Sequence, residues 1–97
     1  MLSNILIKRG EINLMLNKVE IDILRHLFEN GLNNPMDSRT IKLISKGVGL
    51  NNLRVRNNIT HLLMHEYVSK GYREKQSGTY FITKKGIDEI ENKTTKT

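Results

Sequence analysis

Two arginines and four asparagines stand within the stretch GVGLNNLRVRNN, positions 47 to 58. Arginine presents a fork of donors that can pair with two acceptors of guanine at once, and asparagine can do the same for adenine. The same side chains also suit a solvated surface loop, so the segment takes its meaning from its surroundings. The net charge of +6 is concentrated around it. Residues 1–38 carry four basic and five acidic side chains, and residues 76–97 carry four and three. Residues 39–75 hold eight basic side chains (Arg39, Lys42, Lys46, Arg54, Arg56, Lys70, Arg73, Lys75) against Glu66 and Glu74. A basic block of this kind favours polyanionic partners through counterion release and electrostatic steering. An ordinary solvated face has similar composition, and charge alone favours nucleic acid only modestly.

Other chemistry is harder to find. His61 and His65 are four apart on an expected helix, a spacing that suits zinc, but no cysteine or third ligand is apparent and no metal is expected. There is no HExxH motif, no phosphate-binding glycine loop and no cysteine nucleophile. The carboxylates of KKGIDEIE fall on the solvated side of a short amphipathic helix. The methionines form no periodic stripe that would line a cofactor pocket, and Met64 fits a subunit contact better. Neither an enzyme nor a cofactor is expected.

A chain of 97 residues encloses a single modest core. Without cysteine no disulfide supports it, which suits a reducing interior. No apolar run reaches membrane-spanning length, and the N-terminus lacks the order of a secretory signal, so a soluble cytoplasmic protein is expected.

The elements follow from periodicity. KVEIDILRHLFENG has a broad apolar face at helical spacing, with Asn17 and Glu20 spaced as a capping box and Gly31 placed to terminate. LNNPMD reads as a loop, and either Asp37 or Ser38 is expected to cap a second helix through IKLISKGV. NNLRVRNNITHLLMHE resumes the helical pattern, with Val55, Ile59, Leu62 and Leu63 on one side. YVSKGYR and TYFIT are β-favouring runs joined by EKQSG, where Gly78 is placed to supply a positive φ angle. Thr83 then caps a last helix, GIDEIEN, and residues 92–97 read as a flexible tail. Residues 1–16 are apolar enough for a helical arm contributing to a dimer, and an intramolecular core helix explains them nearly as well.

Helix, helix, tight turn, helix, hairpin, helix is the resulting order. At the tight turn Ser45 is small, Val48 and Leu50 flank Gly49, and Val55 follows, the residue types that a sharp helix-turn-helix requires. Through Ile44, Ser45, Val48 to Leu50, Val55, Ile59, Leu62, Tyr67 and Val68, and then Tyr80, Ile82, Thr83 and Gly86, the chain resembles the winged helix-turn-helix superfamily of MarR-like and PadR-like bacterial regulators. The resemblance spans roughly residues 17–91. It departs from the pattern at Glu66, where glycine is usual, and at Asn58, where an apolar residue is common.

The resemblance implies a mainly α fold with a small antiparallel β-hairpin, whose third helix enters a major groove with its N-terminal end leading. With Val55, Ile59 and Leu62 buried, helical geometry turns Leu53, Arg54, Arg56, Asn57, Thr60 and His61 outward as readers of bases. Asn51 and Asn52 are placed for phosphate, as are Arg39, Lys42 and Lys46, expected on the second helix, with at least one of these three better explained as a solvated face. The wing contributes Lys70, Arg73, Lys75 and Gln76, with Ser77 and Gln76 explained equally well as solvated turn residues. The leading expectation is a small dimeric regulator of transcription that binds specific double-stranded DNA. The same size and fold suit a centromere-binding adaptor of a plasmid or phage partition system, like the TubR proteins, with a partition NTPase as partner. A winged-helix module that binds an acidic protein is the alternative from another class.

Overall fold

Asn17 opens the first described helix by closing a reciprocal cap with Glu20. Its side chain accepts from the Glu20 amide at 2.8 Å, and the Glu20 carboxylate accepts from the Asn17 amide at 3.0 Å. The spacing of these two residues therefore does form a capping box. The structure, a computed structural model, describes residues 16–73 and 77–95. The expected arm lies outside the described residues except for Leu16, which is buried against the core.

From this cap α1 runs over Lys18–Glu29. It ends at Gly31, whose φ of 68° lets the Leu32 amide turn back onto the carbonyl of Leu27 at 2.9 Å. A loop leads to a two-residue strand, β1 (Arg39–Thr40), and directly into α2 (Ile41–Val48). Gly49, at φ 74°, turns the chain into α3 (Asn52–Met64). β2 (Val68–Lys70) and β3 (Thr79–Ile82) form the wing, and α4 (Lys84–Thr95) closes the chain. The sheet is antiparallel with order β1-β3-β2, pairing Arg39 with Tyr80 and Val68 with Ile82. Among the described residues no helix is long and apolar enough to cross a membrane.

Ile23, Leu24 and Leu27 of α1, Ile44 of α2, Val55, Ile59 and Leu62 of α3, Val68 and Ile82 of the sheet, and Ile90 of α4 make one core. Val48 and Leu50 wedge against it beside Gly49, and Ser45 is buried where α2 packs. Gly86 lies against the Tyr67 carbonyl, where a Cβ has no room. That contact seats the start of α4 on the chain entering β2.

Four local expectations are corrected. The cap of α2 is Thr40, whose hydroxyl accepts from the Leu43 amide at 3.3 Å. Asp37 and Ser38 are engaged elsewhere: Asp37 closes onto Asn34 at 2.9 Å, and the Ser38 hydroxyl lies 2.9 Å from both the Pro35 carbonyl and Thr79 Oγ1. Arg39 belongs to β1, not to the second helix. Gly78 does not adopt a positive φ angle; the described residues that do are Gly31, Gly49 and Glu66. The last helix continues to Thr95, into the stretch expected to be a tail, because each added residue of an established helix gains a backbone bond.

Glu66 occupies the left-handed position with φ 62°. Its amide bonds the Leu63 carbonyl at 3.0 Å and the Tyr67 amide bonds that of Leu62 at 3.0 Å, the paired closure that normally selects glycine. The missing glycine thus leaves the end of α3 intact but strained. Glu66→Gly is expected to stabilise the fold by about 0.5–1 kcal/mol, measured by urea denaturation.

His26 packs between α1 and α2, its ring against Gly47. Its Nε2 is buried without a hydrogen-bond partner, while Nδ1 lies 3.3 Å from the side-chain nitrogen of Asn30. Burial first, then the charge of Arg39, holds the ring below its ordinary value of 6.5, with Glu29 opposing. The unfolded chain therefore takes up this proton before the folded one. The stability contributed by neutral His26 is present above pH 6.5 and is lost as pH falls through the lower folded value. Urea midpoints measured from pH 7.5 to 5 should fall for the native chain, and part of that slope should vanish in His26→Gln.

Candidate nucleic-acid interface

The first turn of α3 is built by Asn51, whose side chain accepts from the Arg54 amide at 2.8 Å. This cap orders one amide and leaves the others of the first turn facing outward. No acidic residue lies in that turn, so the positive end of the helix is not neutralised locally. Asn52, Leu53, Arg54, Arg56 and Asn57 are all exposed, as the burial of Val55 and Ile59 requires. Leu53 is 66% exposed, an apolar side chain standing among these polar ones.

A polar groove of about 380 Å³ runs beside this edge. Thr40, Ile41 and Lys42 line it from the start of α2, Asn52 and Arg56 from α3, and Ser77, Gly78 and Tyr80 from the wing. The fold thus brings Lys42, Asn52 and Arg56 together from two helices. The sequence pattern does not single out Thr40 or Tyr80 for the groove, since Thr40 lies in a two-residue strand with no period to detect and Tyr80 in a strand pattern. Their place in the groove follows from the pairing of β1 with β3.

Other expected residues lie apart. Lys46 is exposed in the last turn of α2, opposite the end that meets the groove. Arg39 is half-buried, and its charge acts on His26. Thr60 and Lys70 line a second, larger depression of about 880 Å³. Leu63 and Met64 of α3, Val68 of β2 and the start of α4 form its remaining walls. The Thr60 hydroxyl donates to the Arg56 carbonyl at 3.0 Å, within its own helix. Arg73 is exposed on the wing, and Lys75 and Gln76 lie outside the described residues.

His61 is the clear correction. It does not face outward with the arginines: its Nδ1 is hydrogen-bonded to the buried carboxylate of Glu20 in α1, and its Nε2 lies 3.2 Å from Nε2 of His65. A carboxylate left alone in the core is costly, and the ring on the facing helix answers it. Asn58 also turns inward, accepting from the Asn17 side chain at 3.0 Å while donating to the Arg54 carbonyl at 2.8 Å. Tyr67 sits close by with its phenol pushed above the ordinary range, by burial first and then by Glu89 and Glu20. Lys85 stands over the Tyr67 ring, 4.9 Å from its centre, and donates to the His65 carbonyl at 2.8 Å.

This arrangement can present a basic, amide-rich edge to a polyanion with little rearrangement. The chain matches no family model and no curated protein. Among solved structures it is similar to the DNA-binding TubR fragment from Clostridium botulinum, with 31% identity and a TM-score of 0.67 over 79% of this chain and 95% of that one. TubR from Bacillus megaterium pBM400 matches at 15% identity with a TM-score of 0.74, over 91% of this chain and 96% of that one. MepR from S. aureus in its DNA complex shares the fold at 17% identity and a TM-score of 0.70, over 91% of this chain and 70% of that one.

Because Asn51 supplies the side-chain cap of α3, Asn51→Ala should cost about 1 kcal/mol in urea denaturation. Amide hydrogen exchange should quicken in the first turn of α3 more than elsewhere.

Proposed function

The chain belongs to the TubR family, and from that footing we propose that it binds specific sites in double-stranded DNA as the centromere-binding adaptor of a plasmid or phage partition system. The observation that carries the DNA reading is the groove at the start of α3, where Lys42, Asn52 and Arg56 meet the wing. α3 enters the major groove with its N-terminal end leading. Arg54, Arg56 and Asn57 read base edges, Leu53 meets a thymine methyl, and Asn51, Asn52 and Lys42 hold the phosphates. Arg73 and its neighbours on the wing follow the backbone or the minor groove. A homodimer with residues 1–16 at the contact would present two such edges to a repeated site, and a partition NTPase would engage another surface of the complex.

Control of transcription uses the same interface, since a site overlapping a promoter turns binding into repression. The shared fold with the regulator MepR favours keeping this as the second reading. Occupied tandem repeats that co-sediment with polymerised tubulin-like NTPase would support partition, whereas repression of a reporter without such co-sedimentation would support the regulator.

DNA binding itself is tested by titrating duplex sites against salt. Affinity should fall steeply as salt rises, and Arg54→Ala, Arg56→Ala and Arg73→Ala should each weaken specific binding by about 1–3 kcal/mol. Uniformly weak binding to every duplex, unchanged by these substitutions, would remove the DNA reading and leave a protein-interaction module.

A further inference from the structure

The last turn of α3 holds a pair of imidazoles that the DNA-facing edge does not use. His61 and His65 are one helical turn apart, and their Nε2 atoms converge to 3.2 Å. The rings meet edge to face, with centroids 4.5 Å apart. We propose that these two nitrogens form a binding site for a borderline divalent transition-metal ion, of which Zn²⁺ is the representative, with Glu20 as the residue that positions His61.

Three features support the assignment. The first is geometric. An ion about 2.0–2.1 Å from each nitrogen would see a 3.2 Å separation at an angle of about 100°, close to tetrahedral. The second concerns the tautomer. Glu20 is buried, and its Oε1 already accepts from the Asn17 amide. Its Oε2 contacts Nδ1 of His61, so Nδ1 is the nitrogen that donates, and the tautomer carrying its hydrogen there leaves an Nε2 lone pair toward His65. A histidine ligand held by a carboxylate on its far nitrogen is the usual supporting arrangement at metal sites, and it raises the basicity of the ligand. The third is the backbone. Lys85 donates to the His65 carbonyl at 2.8 Å, holding the residue that ends α3 in place.

With His61 in that tautomer, the 3.2 Å contact of the metal-free protein is bridged by a hydrogen on Nε2 of His65. The ion takes the place of that hydrogen, and His65 then carries its proton on Nδ1. Among the described residues no third histidine, cysteine or carboxylate joins the pair. The protein therefore supplies two ligands, and the other positions fall to water or to a group from another molecule through the open side, where the His61 side chain is 37% exposed. Bound metal would staple the end of α3 across one turn and, through Glu20, tie it to α1. None of this depends on DNA binding.

The chain has three histidines, so long-range ¹H–¹⁵N spectra can follow every imidazole during a Zn²⁺ titration of the full-length protein. The Nε2 resonances of His61 and His65 should move together to saturation at one ion per chain while His26 stays in place. His65→Ala should abolish the saturable event, and Glu20→Gln should weaken it by about 10–100-fold while circular dichroism confirms the folded state. Co²⁺ should bind in competition with Zn²⁺ and give a visible spectrum that His65→Ala lacks. If Zn²⁺ perturbs no imidazole below millimolar concentration, moves His26 equally, or binds His65→Ala as tightly as the native chain, the site does not exist.

Discussion

A buried carboxylate beside the N-terminus of α1 governs how α3 is seated. Glu20 is almost wholly withdrawn from solvent, yet both oxygens are satisfied, one by the Asn17 amide and the other by the His61 ring. Burying such a group is tolerable only when hydrogen bonds replace its hydration, and here they come from two different helices. Asn17 extends the node: its Oδ1 accepts from the Glu20 amide and its Nδ2 donates to Asn58 on α3. A local helix cap is thereby also the polar hinge between α1 and α3.

This node acts with the apolar face to choose the rotation of α3. Val55, Ile59 and Leu62 draw one side into the core, and Asn58 and His61 are held on the flank that meets α1. Leu53, Arg54, Arg56 and Asn57 are left on the exposed side. Where an apolar residue is common, Asn58 instead makes a bridge to the cap. Glu66 is a different case: its left-handed backbone is held by the closure of α3 and by the Thr83 hydroxyl, which donates to its carbonyl at 2.7 Å.

The wing is positioned through backbone pairing. β1 has only two residues, yet it joins the start of α2 to β3, and so places Thr40 and Lys42 beside Ser77 and Tyr80. The loop before it is closed by Asn34 with Asp37 and anchored by Ser38 near Thr79. The amides of Gly71 and Tyr72 bond Thr79 and Pro35 respectively, so the base of the hairpin is tied on both sides. The groove depends on these crossings as much as on the helices.

Much of this was legible in residue order. The core face of α3, the box of Asn17 and Glu20, the turn at Gly49 and the cap at Thr83 all follow from spacing, because each depends on residues within a turn or two of one another. The exposure of Arg54, Arg56 and Asn57 follows from the same periodicity. Tertiary structure alone decided the rest. A two-residue strand has no period to detect, and the polar residues at 37 and 38 could serve equally as helix caps or loop fasteners until Thr79 was brought near. His61 looks like an outward residue by helical count, and only the arrival of Glu20, 41 positions earlier in the chain, turns it inward. Periodicity reports which side of a helix is apolar; which charge waits on the neighbouring helix is a property of the folded packing.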